Sequence, residues 1–172
     1  MVNLFFTSIN PVTAALNLNY SKLQGKMILE TSQMLATSLI RNNVVSPIKT
    51  FNPKHPSDLW VNLTRSNYEW SLNHLEALIE LYDSRFNKPA SYLNSRLLLY
   101  LGKNTLNKLE FNTEDLTNPH LAFTTESEDL KPKYGTKLGN YYVANTPNDA
   151  VTAYRKYLTR KSYWLSEYKF VD

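Results

Sequence analysis

Residues 11–41 read PVTAALNLNYSKLQGKMILETSQMLATSLIR. Within them Val12, Ala15, Leu16, Leu23, Met27, Ile28, Met34, Leu35 and Leu39 recur at steps of three and four. That spacing predicts helix with one buried face, and Gly25 and the 17–21 stretch are the points at which it can divide. Lys22, Lys26, Glu30, Gln33, Thr37 and Arg41 follow the opposite side of the same wheel. Glu30 is therefore expected on a polar stripe, as its single acid, with Lys26 one turn away as an ordinary helix-surface partner.

Working outward, residues 42–56 hold Pro47, Pro53 and Pro56 and read as a loop. Ser57 is an N-cap candidate for a helix carried to about Phe86 by Leu59, Trp60, Leu63, Tyr68, Trp70, Leu75, Leu78, Leu81 and Tyr82. A shorter helix starts at Ser91 or Tyr92, and Gly102 is its expected C-terminal cap. The apolar run Val2–Thr7 reads as an ordered N-terminal arm. Residues 104–145, polar, aromatic and punctuated by Pro and Gly, read as irregular but ordered. Thr146-Pro147-Asn148-Asp149 then has an N-cap, a Pro at the first helical position and an acid three residues on, opening a last helix to about Tyr168. The expected fold is all-α: a single helical domain over 1–172, a compact bundle with an extended arm and one long irregular segment.

The 172 residues carry 19 Lys+Arg against 15 Asp+Glu, a net +4, and no cysteine. Disulfide frameworks, thiol catalysis and thiolate metal sites are thereby excluded, and a reducing compartment, the cytoplasm, is expected. No run approaches the ~18 apolar residues of a membrane helix, and the start lacks the pattern of a signal peptide, so no membrane partner is expected. His55, His74 and His120 form no His-x-x-x-His pair, and four glycines are poor material for a phosphate cradle. No metal and no cofactor are expected.

Between Tyr154 and Lys169, cations (Arg155, Lys156, Arg160, Lys161, Lys169) alternate with rings (Tyr154, Tyr157, Tyr163, Trp164, Tyr168). Two readings stand. Cations neutralise phosphates while rings stack on bases; equally, an amphipathic helix packs its rings on the core and leaves Lys and Arg in solvent.

A set of motifs carries a resemblance: Lys22, Lys26, Glu30-Thr31-Ser32-Gln33-Met34-Leu35, His55-Pro56 with Trp60, Asn67-Tyr68-Glu69-Trp70, Arg85-Phe86, and Ala153-Tyr154-Arg155-Lys156-Tyr157 followed by Lys161 and Trp164. In these the chain resembles the pyrimidine-dimer DNA glycosylases of the endonuclease V type, above all their tailed-phage homologues. The resemblance spans both ends and is weakest over 104–145. It implies a DNA-repair glycosylase and lyase in which the initiator Met is removed, the Val2 amine attacks C1′ of the damaged nucleotide, and Glu30 is the acid/base. An α-amine with a pKa of about 7.7–8.0 is substantially neutral near pH 7.5 and suits Schiff-base chemistry. The expected partner is duplex DNA. The expected contacts, from the resemblance and the cation-and-ring pattern, are Lys22, Lys26, His55, Arg155, Lys156, Tyr157, Arg160, Lys161 and Trp164.

The chain departs from the family pattern at Ser21, Leu23 and Leu29, where the family has Asp, His and Arg. Those departures, and the fact that Met1 in place makes the Val2 nitrogen an amide, motivate an alternative. In it the scaffold is a non-catalytic phage DNA-binding, virion or interaction protein, with a virion or host protein as partner and the virion as its place.

Overall fold

Helical periodicity and its punctuation set the scaffold, seen in a computed structural model that describes residues 3–18, 23–161, 164 and 169–172. The Pro11–Arg41 pattern resolves into α1 (Pro11–Leu16) and α2 (Leu23–Arg41). Asn10 opens α1 by accepting from the Val12 and Thr13 N–H groups at 2.9 and 3.1 Å, with Pro11 at the first position. Asn17 caps its end, and its side chain is committed elsewhere: it donates to the Val171 carbonyl and accepts the Val171 N–H, at 3.0 and 2.7 Å. Gly25 does not break α2. A Cβ there would run into the Tyr92 hydroxyl, so glycine admits a packed ring.

The helix expected from Ser57 is also two, α3 (Pro56–Val61) and α4 (Arg65–Phe86). The cap of α3 is His55, whose Nδ1 accepts the Ser57 N–H at 3.2 Å. Asn62 ends α3 and Thr64 starts α4, while the Arg65 and Ser66 N–H groups donate to the Thr113 and Glu114 carbonyls. Those donors have no intrahelical partner at a helix start, so the 113–114 backbone supplies one.

The next helix, α5 (Leu93–Thr105), runs through Gly102 and passes into a short 3₁₀ turn over Leu106–Lys108. Gly102 is a contact residue and not a cap: a Cβ there would sit 2.7 Å from Leu72 Cδ2 of α4.

The segment expected to be irregular holds the main correction to an all-α fold. It contains β1 (His120–Leu121), α6 (Leu130–Tyr134), β2 (Gly135–Leu138) and β3 (Tyr141–Ala144). The strands form an antiparallel sheet in the order β1-β3-β2, with His120 opposite Val143 and Gly135 opposite Ala144. Gly139 takes φ +62° in the two-residue turn between β2 and β3, a conformation that favours glycine. The fold is mainly α with this small sheet. The last helix, α7 (Pro147–Thr159), starts as its sequence predicts, with Thr146 Oγ1 accepting the Asp149 N–H at 3.0 Å. It stops at Thr159 with Arg160 as its cap, well short of Tyr168.

Residues 3–7 are an ordered arm, buried from end to end. Phe6 stacks on Trp70 at 4.8 Å and meets Trp60 edge-on at 5.7 Å; Phe5 stacks on Tyr157 of α7 at 5.9 Å. Met27, Ile28, Met34, Leu35 and Leu39 of α2 and Leu75 and Leu78 of α4 complete the centre of the core. No helix among the described residues is long and apolar enough to cross a membrane.

Candidate active site at the N-terminal arm

The side chain of Asn3 organises the start of the arm. Its Oδ1 accepts the Leu4 and Phe5 N–H groups at 2.8 and 3.2 Å, and its Nδ2 donates to the Ala122 carbonyl at 2.8 Å just beyond β1. Phe5 follows at φ +53°, a left-handed backbone uncommon for an aromatic residue, so the chain turns sharply here. The turn brings the Asn3 backbone N–H to Glu30, where it donates to Oε2 at 3.1 Å.

Glu30 is therefore not on a solvated stripe. It is 8% exposed, at the place where the arm crosses α2. The polar side of α2 is covered at two points by chain from elsewhere, by the arm at Glu30 and by Thr50 and Asp58 at Thr37, while Lys26 and Arg41 reach solvent. Lys26, with 59% of its side chain exposed, lies 3.6 Å from Glu30 Oε1. Burial raises the Glu30 pKa above the usual carboxylate value, against the lowering effects of the Asn3 N–H and Lys26. A carboxyl so placed holds a proton more readily than a surface glutamate, which suits it to exchange one.

Of the other expected site residues, Val2 and Lys22 lie outside the described residues. His55 is a helix cap, and burial pushes its pKa down to about 4, so its ring is neutral at physiological pH. The C-terminal set disperses. Tyr157 is 2% exposed and packs on Phe5 and Phe123, leaving no free face for a base. Arg155 donates to the Thr7 carbonyl at 2.9 Å and pairs with Asp172, holding the arm and the chain end together. Arg160 grips Asp129 through two bonds of 2.6 and 3.0 Å, and Lys161 binds Glu126 and Thr124, each at 3.0 Å. Trp164 stacks on Phe170 at 4.8 Å. Lys156 is exposed, with its ammonium 5.2 Å from the Tyr134 ring. Among the described residues, Tyr154 and Tyr157 pack inward as in the amphipathic reading, but Arg155, Arg160 and Lys161 are paired with carboxylates and not left to solvent; Tyr163 and Tyr168 lie outside the described residues.

The motif residues His55, Trp60, Asn67, Tyr68 and Trp70 serve the scaffold around the arm. Trp70 Nε1 donates to the Ile9 carbonyl at 2.7 Å, Trp60 Nε1 to the Thr117 carbonyl at 3.1 Å, and the Tyr68 hydroxyl to the Leu35 carbonyl at 3.0 Å. Asn67 exchanges two bonds with Thr117, and its Nδ2 also donates to the Trp60 carbonyl. Sequence reasoning missed Asn3, whose one signal is a lone amide at the head of an apolar arm.

No family model, no curated protein and no solved structure matches this chain. Among the described residues no group of three or more His, Asp or Glu side chains is placed to hold a metal ion.

Proposed function

We propose that the protein is a DNA glycosylase and abasic-site lyase acting on damaged or modified bases in duplex DNA, with the Val2 amine as nucleophile and Glu30 as acid/base. The observation that carries this reading is the bond from the Asn3 backbone N–H to Glu30. Consecutive Cα atoms are about 3.8 Å apart, so a carboxylate bonded to the Asn3 nitrogen stands one residue from the nitrogen that Met removal would free.

In this mechanism the amine forms a bond to C1′ as the base departs with the glycosidic electron pair, and Glu30 supplies the departing base with a proton. The ring oxygen then takes a proton from the attached nitrogen as it leaves C1′, giving a hydroxyl and an iminium ion. Loss of a C2′ proton to the carboxylate breaks the C3′–O bond and releases the 3′ phosphate. The raised Glu30 pKa favours the first proton transfer, and burial beneath the arm keeps bulk water from competing for the carboxyl.

Borohydride trapping on duplexes holding an abasic site or a thymine dimer tests this, with intact mass to show whether Met1 is removed. The expected result is a covalent adduct mapped to Val2. Glu30→Gln keeps an oxygen for the Asn3 N–H and so keeps the arm in place; it should lower trapping and strand cleavage about 100-fold or more. Undiminished activity in that variant rules out the role of Glu30. Absence of any adduct from protein lacking Met1 rules out the amine mechanism.

The alternative, a non-catalytic DNA-binding, virion or interaction protein, is favoured by one observation: Arg155, Arg160 and Lys161 already have carboxylate partners. Weak, non-saturating DNA binding even at low salt would support its virion or interaction form, whereas a non-catalytic DNA-binding form should bind saturably with an affinity that falls steeply with salt.

A further inference from the structure

Roughly 16 Å along α2 from Glu30, at the 1.5 Å rise of a helix, the same helix ends at Arg41 over a polar hollow. This cavity, of about 560 Å³, lies between α2, α3 and residues 110–112. That volume falls in the range of small-molecule sites.

Its floor is a connected set of polar side chains. Asp58, 2% exposed, accepts from Thr37 Oγ1 at 3.1 Å and from Asn62 Nδ2 at 2.9 Å. Asn62 Oδ1 in turn accepts the Ser38 hydroxyl at 2.5 Å. Each of these side chains is therefore fixed before anything binds, as a specific site requires.

At the mouth is Arg41. Its guanidinium reaches Ser38 Oγ and the carbonyls of Asn62 and Glu110 at 3.3, 3.3 and 3.5 Å, all neutral acceptors at the long end of hydrogen bonding. It has no carboxylate within ion-pair distance among the described residues, unlike Arg65, Arg96, Arg155 and Arg160. Phe111 presents a ring 6.0 Å from the guanidinium carbon. A cation fork without a counter-ion, beside a ring and above a floor of amide and hydroxyl groups, suits an anionic group on a polar, flat body.

We infer that this cavity binds a small organic anion, its phosphate or carboxylate on Arg41 and its uncharged polar part on Asp58 and Thr37. The site is separate from the one at Glu30 and does not depend on the activity proposed there. Asp58 gives it a proton dependence. Burial raises that carboxyl to about 7, opposed by the bonds from Thr37 and Asn62 and by the Arg41 charge; Glu110, lining the same cavity, is the other acid facing the ligand. A neutral Asp58 donates to the ligand, whereas a charged one repels it, so binding weakens as pH rises through 7.

The test is calorimetric titration of the full chain with inorganic phosphate, acetate and a nucleoside 5′-monophosphate at pH 6 and pH 8, with a short duplex DNA as a separate arm. Saturable binding is expected at pH 6, tightest for the mononucleotide and weaker by up to about tenfold at pH 8. Arg41→Gln should weaken it at least about tenfold, and Asp58→Asn should keep binding at pH 6 and abolish the weakening at pH 8 for acetate, the probe whose own charge is the same at both pH values. Should Arg41→Gln fail to fold, Asn112→Asp puts a negative charge on the exposed rim and should weaken binding with the fold intact. No saturable binding of any of the three probes at pH 6 overturns the inference, as does unchanged affinity in Arg41→Gln or, in its place, Asn112→Asp. Loss of DNA affinity in Arg41→Gln with no binding of free mononucleotide also overturns it, and assigns Arg41 to a backbone phosphate.

Discussion

Among the described residues two carboxyl groups, Glu30 and Asp58, are buried without a guanidinium within ion-pair distance, and burial raises the pKa of both. They differ in what holds them: Glu30 takes a backbone N–H from the arm, whereas Asp58 is held by two side chains, Thr37 and Asn62. For Asp58 the folded pKa, about 7, lies above the unfolded value of 3.8. The folded state therefore binds the extra proton between those values, and stability falls as pH rises through that window. Asp58→Asn removes the cost of the buried charge while keeping a side chain of the same shape. At pH 8 the variant should be more stable than the wild type by on the order of 4 kcal/mol, at pH 5 by on the order of 1–2 kcal/mol, and the two should converge only below about pH 4, as read from urea midpoints. Equal midpoints at pH 8 would mean that the carboxylate is better solvated than its burial implies.

Among the elements, the β2–β3 pairing makes the sharpest steric demand. A Cβ on Gly135 would meet the Val143 carbonyl at 2.7 Å and Leu121 Cδ1 at 2.9 Å. The backbone carbonyl cannot move aside as a side-chain tip can, so Gly135→Ala should cost about 1–3 kcal/mol in chemical denaturation. This sheet was also the element least legible in the sequence. Its strands are two to four residues long, too short for alternation to separate them from turn. The helices carrying long periodic runs or a complete capping signature, α2 and α7, were legible at their starts or along their lengths. The breaks were not: the division at 62–64 depends on carbonyls from 113–114 that complete α4, and no local signal reports that contact. The same reason hid half of the candidate site. Glu30 sits at a polar position of its helix wheel, and only the return of the arm, 27 residues distant in sequence, buries it. Gly25 and Gly102 misled in the opposite sense, since each serves a neighbouring side chain and not a helix end.

For the whole molecule, the buried imidazoles and carboxyls set opposing pH slopes. His55 and His74 are each held down to about 4 by burial, and His120 is lowered for the same reason. A base whose folded pKa lies below its unfolded value of 6.5 favours unfolding as it protonates, so these groups lose stability as pH falls from about 6.5 towards 4. Asp58 and Glu30 work the other way, gaining as pH falls, but the histidines outnumber them, and each titrating group contributes at most about 1.4 kcal/mol per pH unit. The urea midpoint should therefore be highest at about pH 7–7.5 and fall on the acid side; a midpoint that rises steadily down to pH 4 would contradict this. The partners of the arm and of the end of α1 also bear on how the chain reaches this state. Asn3 bonds Ala122, Thr7 bonds Arg155 and Asn17 bonds Val171, across separations of 119, 148 and 154 residues. At synthesis rates of about 5–20 residues per second, Phe5 and Phe6 leave the ribosome on the order of ten seconds before Tyr157 exists to receive them. The arm thus waits as an exposed aromatic segment, a natural substrate for a holding chaperone, and the core closes only when α7 arrives.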